Sequence, residues 1–314
     1  MTSIDPSMPI TYSPAAVANT MVEGLATDQN NLASLEQQVS TGFAINSPSD
    51  NPEGAANLLQ LNASLTRFTQ YQTNAADGKG WLEAGNGAVN SVLDVLHQVQ
   101  SIVESVSGAQ LAGNGSELPS LAEQVSSALS EISNLANTTY ENGQPIFGGT
   151  GNATQAYDSS GNYLGAGNAP TRTVAPGTQI AVSLTGPQVF GTGTSGLLSQ
   201  TSGSLGVLSQ IVSDLQSGTP ASISNVEGSD LQSLNAAIQT VEGAASTLGA
   251  NQQAIEQFSA QATQTAGALQ QQLGSVQDVN MASAITNLQL QQTAYQAALW
   301  ATSQLSTDDL AKYL

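Results

Sequence analysis

From Leu58 to Val103 the apolar residues return at alternating steps of three and four: Leu58, Leu61, Leu65, Phe68, Ala75, Leu82, Val89, Leu93, Leu96 and Val103. This is the spacing of one narrow face of an α-helix. A helix over 53–107 is about 80 Å long at 1.5 Å per residue. A compact globule of 314 residues has no room for such a rod, so the chain must be organised along it. Four polar residues, Gln72, Lys79, Asn86 and Gln100, interrupt the face. Gly78, Gly80, Gly85 and Gly87 are expected to bend the rod, at roughly 1 kcal/mol each relative to Ala.

Shorter seams of the same kind stand at the two ends. Met21, Leu25, Leu32, Leu35 and Val39 keep the three–four step, with Asp28 on the same stripe. Near the other end Met281, Ile285, Leu288, Tyr295 and Leu299 do so, with Gln292 and Thr302 as polar breaks. Stripes this narrow suit a coiled coil rather than a wide globular face. A lone helix of this type is marginal in water and needs a partner. The simplest packing pairs the first segment with the last, antiparallel, and leaves apolar rims for neighbouring subunits to cover.

Between the first seam and the rod lies a specified hinge, residues 40–54. Gly42 can take the left-handed conformation that ends a helix. Pro48 disfavours helix at Ser47, and Asn46 sits between them. Asp50 with Glu53 three residues on makes a capping-box pattern for the next helix, and Pro52 suits its first turn.

The remaining chain reads as follows. Residues 1–14, with three prolines, form a non-helical lead, and Gly113–Ser116 a turn. Leu118–Thr139 is a third helix. From Tyr140 the Gly, Thr and Pro content rises and the period drops towards two. Thr173-Val174, Ile180–Leu184 and Gln188–Phe190 read as short strands. Helical pattern returns at Ser204–Leu215, breaks over Ser217–Gly228 and runs again from Ser229 to Leu273. The expected fold class is mainly α: a long antiparallel helical bundle or coiled coil built from N- and C-terminal segments, with a small β-rich domain inserted in the middle. The expected divisions are an arm over 1–42, a rod domain over 43–139 and 204–275, the β insert over 140–203, and a second arm over 276–314.

Composition narrows the function classes. The chain has no Cys and one His, His97, so thiolate and histidine metal centres have no ligands to draw on. Four basic residues stand against 23 acidic ones, net charge −19. Arg67, Lys79, Arg172 and Lys312 are scattered, which argues against nucleic acid or an anionic membrane as partner. No run of apolar residues is long enough to span a bilayer. Residues 1–10 lack the basic and apolar regions of a cleaved secretory signal; composition alone favours a cytoplasmic protein. Gly191-Thr-Gly-Thr-Ser-Gly196 spells a dinucleotide-binding fingerprint, but no second parallel strand follows, and a flexible exit from the insert is the expected reading. Phe147-Gly148-Gly149-Thr150 has no Lys and reads as a turn. His97 lies beside the seam without a nucleophile signature. Asp308 and Asp309 are expected to be solvated. Asn62, Asn114, Asn137 and Asn152 each open an Asn-x-Ser/Thr match, as chance predicts in so Ser- and Thr-rich a chain. No catalytic, cofactor or metal site is expected.

The stretch Gln37-Gln38-Val39-Ser40-Thr41-Gly42-Phe43-Ala44-Ile45-Asn46-Ser47-Pro48-Ser49-Asp50-Asn51-Pro52-Glu53-Gly54-Ala55 resembles the N-terminal signature of the flagellin-like family. Its Pro48 and Pro52 resemble the hook-associated members more than flagellin itself. Gln70–Asn74, Trp81-Leu82, Asn142–Thr150, Val276–Ala282 and Leu310–Leu314 are further matches. Basic residues usual in the family near Phe43 are missing, and Asp308–Ala311 is less apolar than the pattern. The resemblance implies a non-enzymatic axial subunit without cofactors. It implies export through the flagellar type III channel, with an export chaperone, and assembly outside the cell as a ring of identical subunits. The terminal helices would line the tube as a coiled coil, joining the adjacent hook-associated junction protein to flagellin. The assembly seam would be Met21, Leu25, Leu32, Leu35, Val39, Met281, Ile285, Leu288, Tyr295 and Leu299; the hinge, Gly42, Asn46, Pro48, Asp50 and Pro52. The nearest alternative is flagellin, the bulk filament subunit; a more distant one is a secreted adhesin that binds through the insert.

Overall fold

The computed structural model describes residues 14–111, 117–201 and 204–311. The expected lead over 1–13, the turn at Gly113–Ser116, residues 312–314 and the side chains of Asp308 and Asp309 lie outside what is described. Helices run as α1 (Pro14–Thr41), α2 (Pro52–Leu111), α3 (Leu118–Ala136), α4 (Gly186–Phe190), α5 (Val207–Ser217), α6 (Pro220–Asn225), α7 (Leu231–Gln277) and α8 (Met281–Ala311). The strands are β1 (Thr139–Tyr140), β2 (Gln144–Pro145), β3 (Thr171–Ala175), β4 (Thr178–Ala181), β5 (Gln200–Thr201) and β6 (Ser204–Leu205). Each consecutive pair forms a two-stranded antiparallel ladder. The chain is thus mainly helical, with a small central region of short antiparallel strands. No helix among the described residues is long and apolar enough to cross a membrane.

The chain divides into two units: residues 1–66 with 267–314, and residues 67–266. In the second unit, α2 and α7 lie antiparallel, and their facing residues explain the interruptions in the α2 stripe. Gln72 Nε2 donates to Thr263 Oγ1 at 3.2 Å, Asn86 Nδ2 to Gln252 Oε1 at 2.9 Å and Gln100 Nε2 to Asn235 Oδ1 at 3.2 Å. Lys79 Nζ lies 3.3 Å from Glu256 Oε1. All four interruptions are therefore rungs of one polar ladder between two helices. Around it Leu82, Val89, Leu96 and Val103 of α2 and Leu234, Val241, Leu248 and Ile255 of α7 are buried. α3 packs on α5 beside them.

The glycines of α2 do not break it; the helix continues from Pro52 to Leu111. They admit neighbours instead. A methyl group at Gly78 would stand 2.8 Å from Ile255 Cδ1 and 2.9 Å from Val182 Cγ1, and one at Gly80 would overlap the Tyr140 hydroxyl. Tyr140 also meets Trp81, ring centroids 5.2 Å apart, and the Arg172 guanidinium lies 5.9 Å from the Trp81 ring centroid while its Nε bonds Asp77.

The insert shares this core. Ile146, Phe147, Val182, Val189 and Phe190 join the same buried cluster as the helices. Asn137 ends α3 early, because its side chain reaches across to accept from Tyr157 N (2.9 Å) and donate to Tyr157 O (3.1 Å). Thr171–Ala175 and Thr178–Ala181 pair as a hairpin that takes in the expected strand at Thr173-Val174 and the start of Ile180–Leu184; residues 182–184 are not strand, and Gln188–Phe190 is helix. The Gln188 side-chain oxygen accepts from Thr185 N at 2.9 Å, which starts a helical turn with Pro187 inside it. The expected break over Ser217–Gly228 is partly helical too: Gly218 (φ 59°) ends α5, and Thr219 caps α6, accepting from Ser222 N at 3.1 Å. A π-helical turn, Val226–Asp230, then leads into α7.

Candidate functional site

The first unit is built from the two chain ends, and its geometry starts at the hinge. Gly42, at φ 76°, ends α1 while its amide bonds Gln38 O at 2.9 Å. The Thr41 hydroxyl bonds Asn46 Oδ1, and Asn46 Nδ2 bonds Phe43 O at 2.9 Å. Asp50 closes the loop: one carboxylate oxygen accepts from Asn46 N (3.0 Å) and Ser47 N (2.7 Å). It does not cap α2. That role falls to Asn51, whose Oδ1 accepts from Gly54 N at 2.9 Å, with Pro52 in the first turn. The expected Asp50–Glu53 box is corrected accordingly: the cap must directly precede Pro52, and Asp50 is spent on the loop amides. Ile45 covers Gly54 so closely that a methyl group there would stand 2.5 Å from its Cδ1.

This loop is tied to a second one, just past the division expected at residue 275. Ala44 N donates to Gln277 O at 2.7 Å and Val279 N to Gly42 O at 2.9 Å, making an antiparallel bridge at Phe43 and Asp278. Asn280 then starts α8 by accepting from Ser283 N at 3.2 Å. An Asn directly before an apolar-periodic run was the available signal for this second turn.

Beyond the joined loops α1 and α8 run antiparallel and in contact. On α1, Met21, Leu25, Asp28, Leu32, Leu35 and Val39 are half-buried. On α8 the inward stripe is Ala284, Leu288, Gln291, Tyr295, Ala298 and Thr302, in steps of four and three. Leu288 and Tyr295 lie on it; Met281, Ile285 and Leu299, placed on the seam by sequence, are exposed. The largest apolar side chains of α8 are not its most inward ones, because small Ala284 and Ala298 let the helices approach. At mid-seam Gln291 Nε2 donates to Asp28 Oδ1 at 2.9 Å, so one polar layer fixes how the two ends align. Two large apolar side chains of α8 stand well out of this seam: Leu290 is 70% exposed and Trp300 77%. Val22 on α1 and Leu59 on α2 are exposed as well.

The rejected fingerprint has other surroundings. Gly191 ends α4 and Gly193 opens a 3-10 turn, both at positive φ, and the antiparallel β5–β6 ladder follows. Strand, glycine turn and helix in a parallel sheet, which a dinucleotide needs, is not the local order. His97 is exposed on α2. Among the described residues no group of three or more His, Cys, Asp or Glu could hold a metal.

Comparison with known proteins matches residues 13–152 to the bacterial flagellin N-terminal helical region and residues 231–314 to the bacterial flagellin C-terminal helical region. Flagellar hook-associated protein 3 of Salmonella typhimurium is 26% identical over 298 residues, covering 88% of this chain and 91% of that protein. Phase 1 flagellin of Salmonella naestved is 30% identical over 118 residues, 38% of this chain and 23% of that protein. The flagellar junction protein FlgL of Legionella pneumophila has the same fold at TM-score 0.53 and 15% identity, over 72% of this chain and all of that one.

Proposed function

Because the chain belongs to the flagellin-like family of bacterial flagellar structural proteins, we propose that it is a non-enzymatic hook-associated subunit that joins the hook-side junction protein to the flagellin filament. It leaves the cell unfolded through the flagellar export channel, held by an export chaperone, and assembles outside as a ring of like subunits. The observation that carries this reading is the paired-end geometry. A one-layer seam holds α1 to α8, yet Leu290, Trp300, Ile285 and Leu299 stand on outward faces. Apolar side chains left exposed beside a narrow seam can join into a patch that another chain covers. In a tube subunit, adjacent copies supply that cover. A match over 91% of a hook-associated relative, against a match to under a quarter of a flagellin, favours the junction role over the bulk filament.

Deleting the gene tests it. Loss of a junction subunit leaves hooks in place while flagellin is shed into the medium. Disappearance of secreted flagellin instead would make this chain the filament subunit and overturn the proposal.

A further inference from the structure

One carboxylate of the second unit is buried with little to hold it. Asp230, the last residue of the π turn before α7, is 6% exposed. Its Oδ1 has only a 3.4 Å contact from the Ser229 hydroxyl, and its Oδ2 has no hydrogen-bond partner. A buried carboxylate ordinarily has a cation or several N–H donors. Asp230 also lines a cavity of about 300 Å³. Leu205 and Val207 give this cavity apolar wall; Thr194, Gln210 and Ser233 give it neutral polar groups. Thr194 and Ser233 are exposed, whereas Val207 is buried like Asp230. The cavity thus runs from a polar mouth to an interior that holds one carboxylate with acceptor capacity to spare.

The segments that build the cavity bring no cation to it. Between Arg172 and Lys312 the sequence has no Lys, Arg or His. Lys79 is paired with Glu83 and Glu256, and Arg172 with Asp77. Burial first, and then the like charge of Asp214, push the Asp230 carboxyl up to about 6, so at pH 7.5 it is mostly ionised. A negative interior excludes phosphate and other anions, although Thr194 belongs to the glycine-rich segment that spells a nucleotide fingerprint. A neutral alkyl group would leave the carboxylate as poorly held as before. No group of three or more acidic or His ligands stands among the described residues to hold a metal ion. The complement of these walls is a compact cation on an apolar stem.

We propose that this cavity is a binding site for a primary alkylammonium group, with the Asp230 carboxylate accepting from the ammonium and Leu205 and Val207 covering its methylene stem. Hydrogen bonds between an ammonium and a carboxylate are charge-assisted and roughly twice as strong as neutral ones, and the stem gains by leaving water. A free amine and a lysine side chain of another protein both carry this chemistry. The site does not depend on the flagellar role.

The test is carboxyl-carbon NMR of the folded full chain at pH 7.5 and constant ionic strength. The chain is titrated in turn with n-butylammonium chloride, Nα-acetyl-lysine methylamide and n-butanol. An amine should shift the Asp230 signal saturably and leave that of Asp94, exposed on α2, unmoved. The alcohol, with the same stem and no charge, should bind about tenfold or more weakly, the worth of a hydrogen bond to a charged group. Saturation by the lysine derivative assigns the site to a side chain of another protein; saturation by n-butylammonium alone assigns it to a free amine. Failure of both amines to saturate Asp230, or equal binding of the alcohol, overturns the site. Calorimetry with n-butylammonium adds a second reading: Asp94→Asn should keep the wild-type heat of binding and Asp230→Asn should lose it, and a folded Asp230→Asn that keeps it also overturns the site.

Discussion

Glycine-to-alanine changes along α2 separate two accounts of the same helix. Propensity alone makes every such change stabilising, by about 0.5–1 kcal/mol, because alanine loses less backbone freedom on folding. At Gly87 nothing lies within 4 Å of an added methyl group, so Gly87→Ala should show that full gain. At Gly80 the methyl would overlap the Tyr140 hydroxyl. Overpacking of this kind costs about 1–3 kcal/mol. Displacing Tyr140 also disturbs its ring contact with Trp81, worth about 0.5–1.5 kcal/mol. Set against the helix gain, Gly80→Ala should come out destabilised by about 0.5–4 kcal/mol. The two variants should therefore differ by about 1.5–4.5 kcal/mol with opposite signs, although the chemical change and the helix are the same. For a unit of this size 1 kcal/mol moves Tm by roughly 2–4 °C. Thermal and urea unfolding followed by far-ultraviolet circular dichroism reads both. If Gly80→Ala gains as much as Gly87→Ala, the α2 glycines are not seats for neighbouring side chains, and the packing described around Tyr140 is wrong.

Three further outcomes are expected. Asn51→Ala removes the acceptor at the start of α2 and should cost about 1 kcal/mol locally, read as faster hydrogen exchange at Gly54, while Asp50→Ala should speed exchange at Asn46 and Ser47 instead. Gln291→Leu leaves Asp28 without its amide donor; exchange across the middle of α1 and α8 should rise roughly fivefold for each 1 kcal/mol lost, and an unchanged rate would remove the polar layer from the account. Limited proteolysis of the isolated chain should trim residues before about Gly42 and after about Gly274, because the end helices share only one narrow seam; resistance of both tails would show that they need no neighbours.

The long helices were legible because three–four spacing survives over many turns, and the hinge because Gly42, Pro48 and Pro52 each restrict the backbone in a known way. Local competition decided what was not legible. Asp50 and Asn51 are both good caps, and only position relative to Pro52 and the demand of the loop amides assigns them. Gln188–Phe190 has strand-like residues, but Thr185 and Pro187 start a helix there. On α8 a reading that prefers large apolar residues selects Ile285 and Leu299, whereas contact with α1 uses Ala284, Gln291 and Ala298. The second turn at Asp278–Asn280 has Asn280 as a local signal, but its backbone bonds to residues more than two hundred positions earlier are nothing a local pattern records.

Gln72, Asn86 and Gln100, each with an amide or hydroxyl opposite on α7, carry one more implication. Leucine faces tolerate sliding by a heptad, since one oily contact resembles the next. An unmatched amide does not, because a shift by one repeat strands its donor against a methyl group. A chain folding from an extended state is thereby steered away from nearly correct zippers, at little expense in final strength.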